Sequence, residues 1–254
     1  MPKVTLLARI YNCTELRQLD KILKLTFKDL QVETKVLGTN TSGWVQVALY
    51  GQDESVAAKY LAGKIGFCPA LLENVERFST LKGYVATFEK SAEELCLDIG
   101  VFEPKTVYVR IPLRFLQAQL VDGRKLAVKK IGELFGFCDN LPLSVKIVFV
   151  DGEKSRIEAM MSERQLDQYR DWNKSLLDRL IVLGSSAHEV ETALNDAGLK
   201  RDVISVESLG MFEHALVCKL GTDAAGLISK IGRILRDSKF TVFNPRKLRK
   251  FLEV

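Results

Sequence analysis

The stretch that most restricts what this chain can become lies between Leu81 and Leu166. Five short strand-forming segments follow one another there: Leu81–Phe88, Leu95–Gly100, Thr106–Ile111, Val145–Val150 and Arg156–Met161. Most are rich in β-branched or aromatic residues, with apolar side chains recurring at the two-residue period of a pleated strand. The last two are joined by Asp151-Gly152-Glu153-Lys154. Asp-Gly favours a tight hairpin there, because glycine accepts positive φ at little cost. Two helical stretches, Leu113–Leu120 and Lys125–Phe135, separate the third strand from the fourth. Five short strands with a helix before the fourth predict a small barrel.

The flanking segments carry a different pattern. The first, residues 1–76, reads β-α-β-β-α. Its strand Val4–Ile10 leads to a helix from Thr14 to Thr26 with Leu16, Leu19, Ile22 and Leu23 on one face. Thr14 is the expected N-cap, since its hydroxyl can accept the free N–H groups of the first turn. Strands Val32–Leu37 and Trp44–Tyr50 follow, then a helix capped by Asp53 and running to Ile65. The last segment, residues 167–254, begins with a helix and then reads β-α-β-β-α-β. Its strands are Leu180–Leu183, Val203–Leu209, His214–Leu220 and Phe240–Phe243. Its helices are Ala187–Ala197, capped by Ser186, and Asp223–Leu235. The expected fold class is therefore α+β and multidomain, with ferredoxin-like α/β sandwiches flanking a central barrel over residues 77–166. Trp44–Gly66 and His214–Gly232 also parallel each other, each a strand, a Gly-x-Asp turn and a helix ending Lys-Ile-Gly. Either a duplication or the common grammar of strand-turn-helix units accounts for that.

The middle segment resembles the S1 RNA-binding family, a branch of the OB barrels. The resemblance rests on Gly83-Tyr84-Val85 in strand one, Leu95-Cys96-Leu97-Asp98-Ile99 in strand two and Val109-Arg110-Ile111-Pro112-Leu113 after strand three. It is most specific in the closing hairpin, from Val145-Lys146-Ile147 through Arg156-Ile157-Glu158-Ala159 to Ser162-Glu163-Arg164-Gln165-Leu166. The family's Gly-containing loop before strand four is expanded here around Ile131–Phe137. The resemblance implies single-stranded RNA as partner, with bases stacked on barrel aromatics. This chain departs from the pattern where the family has Phe-Gly-x-Phe, carrying Glu93-Glu94-Leu95-Cys96 instead. The remaining aromatic candidates are Tyr84, Phe88, Phe102 and Tyr108. Lys82, Arg110, Arg114, Arg124, Lys125, Lys129 and Lys130 are candidates for backbone phosphate. The layout partly resembles the alpha subunit of the archaeal and eukaryotic initiation factor that carries initiator transfer RNA. The whole chain is similar to a family of uncharacterised archaeal proteins without assigned activity.

Charge adds a second candidate surface. The net charge is +5, and between Lys230 and Lys250 eight basic residues face a single acid, Asp237. The remainder is thus near neutral, and segregated charge concentrates phosphate more than a diffuse excess does. Arg246, Lys247, Arg249 and Lys250 are the expected contacts at this end.

Other function classes find less support. Two histidines, His188 and His214, have no acid or cysteine at a catalytic spacing. No GxxxxGK[ST], GxGxxG or HExxH occurs, so a non-enzymatic protein without cofactor or metal is expected. Cys13, Cys68, Cys96, Cys138 and Cys218 are widely spread and read as small buried hydrophobes. No apolar run reaches membrane-spanning length, and Met1–Ile10 is too short and strand-like for a signal peptide, which points to a cytoplasmic protein. Three readings remain. The first is a binder of single-stranded or structured RNA working with ribosome or RNA polymerase components. The second is a protein–protein adaptor using the barrel without RNA. The third is a small-molecule sensor, because Gly221-Thr222-Asp223-Ala224-Ala225-Gly226-Leu227 resembles the ligand turn of ACT regulatory domains.

Overall fold

A computed structural model describes residues 3–90 and 93–252. The first unit comprises β1 (Lys3–Arg9), α1 (Cys13–Thr26), β2 (Val32–Thr39), β3 (Trp44–Gly51) and α2 (Glu54–Lys64). Its sheet has the order β1-β3-β2, antiparallel throughout. Leu19 and Leu23 of α1 are buried against Leu6, Val45, Val47 and Leu49, whereas Ile22 sits at the edge and is exposed. The N-cap of α1 is Asn12 rather than Thr14. The Asn12 amide oxygen accepts from the N–H groups of Thr14 and Glu15, so the helix begins one residue earlier than expected. Asp53 precedes α2 without capping it through its side chain, because its carboxylate accepts from Gln31 N–H instead.

The middle unit contains β4 (Ala70–Leu71), β5 (Thr80–Ala86), β6 (Glu94–Glu103) and β7 (Val107–Pro112). It continues with α3 (Leu113–Leu120), α4 (Val128–Phe135), β8 (Pro142–Asp151) and β9 (Arg156–Met161). Five of these strands close on themselves in the order β6-β5-β8-β9-β7, with β7 returning to β6. All neighbours are antiparallel except β7 and β9, which run parallel at Val109–Ile157 and Arg110–Glu158. β4 adds a short sixth strand beside β6. Leu95, Leu97, Ile99, Val109, Ile111, Val145, Ile147 and Ile157 fill the barrel. The alternation read from the sequence is what places them all on the inner face. Leu116 of α3 and Val128, Ile131 and Phe135 of α4 join this core.

The last unit comprises α5 (Glu163–Ser175), β10 (Arg179–Leu183), α6 (Ala187–Asp196), β11 (Val203–Ser208), β12 (Glu213–Cys218), α7 (Ala224–Ile231), β13 (Lys239–Phe243) and α8 (Pro245–Leu252). Its antiparallel sheet is ordered β11-β12-β10-β13. Ser186 caps α6 in a reciprocal capping box with Glu189. α8 is amphipathic, with Leu248 buried and Arg246, Lys247 and Lys250 exposed. The barrel core runs without a break into this unit. Phe135 meets Tyr169 and Phe243, Phe137 meets Tyr169, and Tyr169 meets Phe243 and Trp172, at ring separations of 5.2 to 6.3 Å. The first unit keeps a separate core. Among the cysteines, Cys68 and Cys218 are buried but Cys13 is exposed, contrary to the expectation for that residue. Among the described residues, no helix is long and apolar enough to cross a membrane.

Candidate nucleic-acid interface

The outer face of β5 and β6 carries Tyr84, one of the aromatic candidates for base stacking. Here it is covered by both flanking units. Tyr84 is fully buried, and β5–β6 register sets it opposite Asp98. Trp44, the first residue of β3, meets the Tyr84 ring edge-on at 5.2 Å and donates its Nε1–H to Asp98 Oδ1 at 3.2 Å. Arg9 approaches Asp98 Oδ2 at 3.6 Å and lies over both rings. From the other side, Glu213, the first residue of β12, accepts from the Tyr84 hydroxyl at 3.2 Å and from the Tyr11 hydroxyl at 2.8 Å. Lys82, one pleat along β5, donates to the Leu209 carbonyl. Burial pushes the Glu213 carboxyl up to about 7, against the lowering pull of the Tyr11 hydrogen bond and the Lys82 charge. Burial likewise raises Asp98, opposed by the Gly100 N–H and by Arg9. Tyr84 therefore joins three units and offers no face to a base.

The other barrel candidates are dispersed. Phe88 is half-buried, edge-on to Phe137 and laid directly over Gly132. Phe102 is half-buried near the end of β6. Tyr108 is 40% exposed and so keeps a usable face. Arg110 pairs with Glu94 across β6–β7 at 2.9 Å, which answers why an acid is tolerated there. Arg114 lies 3.7 Å from Glu158 and over Phe115.

A different set of candidates does converge. The loop before α4 brings Arg124 to the end of α8, where it donates to the carbonyls of Phe251 and Leu252 and lies over the Phe251 ring at 5.7 Å. Lys130 of α4 and Lys247 and Lys250 of α8 line the same depression, of about 350 Å³, with Leu134 and Phe251. Glu133 is the acid beside it. Lys130 holds its carboxyl below the usual range by hydrogen bond and charge, helped by Lys247 and Lys129. Lys125 and Arg246 are exposed on the adjoining segments. Arg249 points away from this set and donates to Asn173 O at 3.0 Å, fastening α8 to α5. The two basic stretches, about 120 positions apart in the chain, thus form one surface, which neither stretch reveals alone.

Three family models match the chain: the DUF2110 N-terminal domain over residues 3–69, the DUF2110 central domain over 75–173 and the DUF2110 C-terminal domain over 177–243. The chain belongs to the DUF2110 family. No curated protein matches it. An uncharacterized protein from Methanocaldococcus jannaschii is similar at 16% identity and a TM-score of 0.24, over 35% of this chain and 95% of that one. A chain of the a/eIF2alpha–aDim2p–rRNA complex from Pyrococcus horikoshii OT3 is similar at 11% identity and a TM-score of 0.26, over 51% and 70%. Likenesses this weak bear on neither fold nor function here.

In this DUF2110 protein the turn resembling an ACT ligand site is self-occupied. Asp223 accepts from Ala225 N–H, and Asp178 accepts from the Ala224 N–H while Asn244 donates to its other side. The N-terminus of α7 is thereby filled with the chain's own carboxylates, which would repel the carboxylate of an amino acid. The residues that sequence reasoning missed are Arg9, Tyr11, Trp44 and Glu213. The available signal was a charged residue, Glu213, beside His214 at the head of a strand whose remaining residues are apolar.

Proposed function

We propose that this protein is a non-enzymatic RNA-binding protein whose phosphate-binding surface is the α4–α8 face rather than the barrel's aromatics. The observation that carries the reading is the convergence of Arg124, Lys130, Lys247 and Lys250 around one depression, which no acid lines among the described residues. Four cations around one depression raise the local potential even with Lys130 paired to Glu133, and a polyanion satisfies several at once by releasing counterions. The strand order of the barrel, with its parallel β7–β9 pair and helices before β8, supports an S1-type OB reading. The sheet orders β1-β3-β2 and β11-β12-β10-β13 support ferredoxin-like readings of the flanks. With Tyr84 and Phe88 committed to packing, affinity comes chiefly from backbone charge.

Salt titration of RNA binding tests this. Replacing Lys247 and Lys250 with Ala should weaken binding and reduce the slope of log K against log salt by roughly one to two, about one per lost contact. An unchanged slope, or no RNA binding by the unaltered chain at low salt, overturns the proposal.

A further inference from the structure

We infer that the α4–α8 depression accepts an unpaired nucleobase, so that the protein selects single-stranded over duplex RNA at this site. The inference rests on the RNA reading above and adds which strand form is bound. Its lining combines two apolar side chains, the buried Leu134 and the half-buried Phe251, with four cations, Arg124, Lys130, Lys247 and Lys250. Phosphate alone would need the cations without the apolar pair. A purely apolar ligand would gain nothing from four cations. A nucleotide has both parts in one molecule: a flat base for the ring and a phosphate within reach of the lysines. The volume, about 350 Å³, lies in the lower range of small-ligand sites.

The geometry around Phe251 favours stacking. Arg124 is fixed by two hydrogen bonds to the carbonyls of Phe251 and Leu252, with its guanidinium over that ring. The half-buried Phe251 and the guanidinium held above it thus set an aromatic ring and a cation together at the depression, the two kinds of group on which splayed-out RNA bases stack. In a duplex the bases are already stacked inside the helix, and only phosphate can reach this face. α8 is locked to α5 by the Arg249 hydrogen bond to Asn173 and by burial of Leu248, so this arrangement does not depend on bound RNA to form.

The test compares a labelled single-stranded oligoribonucleotide with a duplex of equal length, by fluorescence anisotropy across a salt series. The unaltered protein should bind the single strand more tightly. Phe251→Leu keeps an apolar side chain but removes the π-face, and should weaken single-strand binding roughly ten-fold without lowering the salt slope. Phe251→Trp should restore the preference, which separates stacking from any general effect on α8. Preference for the duplex, or equal weakening of both forms by Phe251→Leu, overturns the inference. If the Lys247/Lys250 variant lowers the slope while Phe251→Leu leaves single-strand affinity intact, this inference fails alone. If that slope is unmoved, the RNA reading fails with it.

Discussion

Glu213 illustrates how a single buried carboxyl can make stability respond to pH. It is fully buried and faces Tyr11 from the first unit and Tyr84 and Lys82 from the barrel, with Arg9 acting on both tyrosines. Its folded-state value, about 7, is above that of an unfolded glutamate, so the native state holds its proton more firmly. This contribution is complete below about pH 4.5 and is lost as pH rises through 7, amounting to at most about 3 kcal/mol. Glu213→Gln keeps an acceptor oxygen for one hydroxyl, sets its amide N–H against the oxygen of the other, and cannot ionise. Relative to the parent, the variant should therefore gain about 2–3 kcal/mol in urea unfolding between roughly pH 5 and pH 8. Burial also raises Glu15 to about 7, but that group is present in both proteins and cancels. Parallel stability curves for parent and variant would assign the effect elsewhere.

Among the elements, α4 carries two roles on opposite faces. Val128, Ile131 and Phe135 seal the barrel while Lys129 and Lys130 face outward. Gly132 allows the close approach of Phe88. A Cβ at position 132 would lie 2.1 Å from that ring's Cζ. Gly132→Ala should thus displace Phe88 and cost about 1–3 kcal/mol, measured by chemical denaturation. A stability unchanged by this substitution would mean that Phe88 is free to swing out, and would return it to the list of stacking candidates. The end of α4 was legible in the sequence, since Gly136 adopts the left-handed conformation that stops a helix. Its start was not. Lys125–Ala127 look helical in composition, yet Ala127 is the extended N-cap, and the turn before it brings Arg124 to α8.

On the scale of the molecule, the barrel and the last unit share one apolar core, whereas the first unit keeps its own and meets them through a small Trp44–Tyr84 cluster, Met211 and buried polar contacts. The joint is centred on Asp98, which is 1% exposed with Arg9, Trp44 and Gly100 as partners. Arg9→Ala would leave that buried carboxylate without its cation, at a cost of roughly 3 kcal/mol. Because the cores are separate, hydrogen exchange should accelerate in β1 and β3 while β10 and β12 stay protected. Uniform acceleration through β10 and β12 would instead show that all three units open together. Most of the element order, the inner face of the barrel and the closing hairpin of β8 and β9 were legible in the residues themselves, because each follows from short-range periodicity and turn chemistry, whereas β4 and α8 were not. The sequence also held the charge segregation at the C-terminal end. It took the packed fold to show that Tyr84 is a joint between units and that Arg124 and Lys130 stand beside Lys247 and Lys250. Those facts depend on docking between units and on contacts spanning more than a hundred positions, and no local pattern of residues encodes which surfaces docking will cover or bring together.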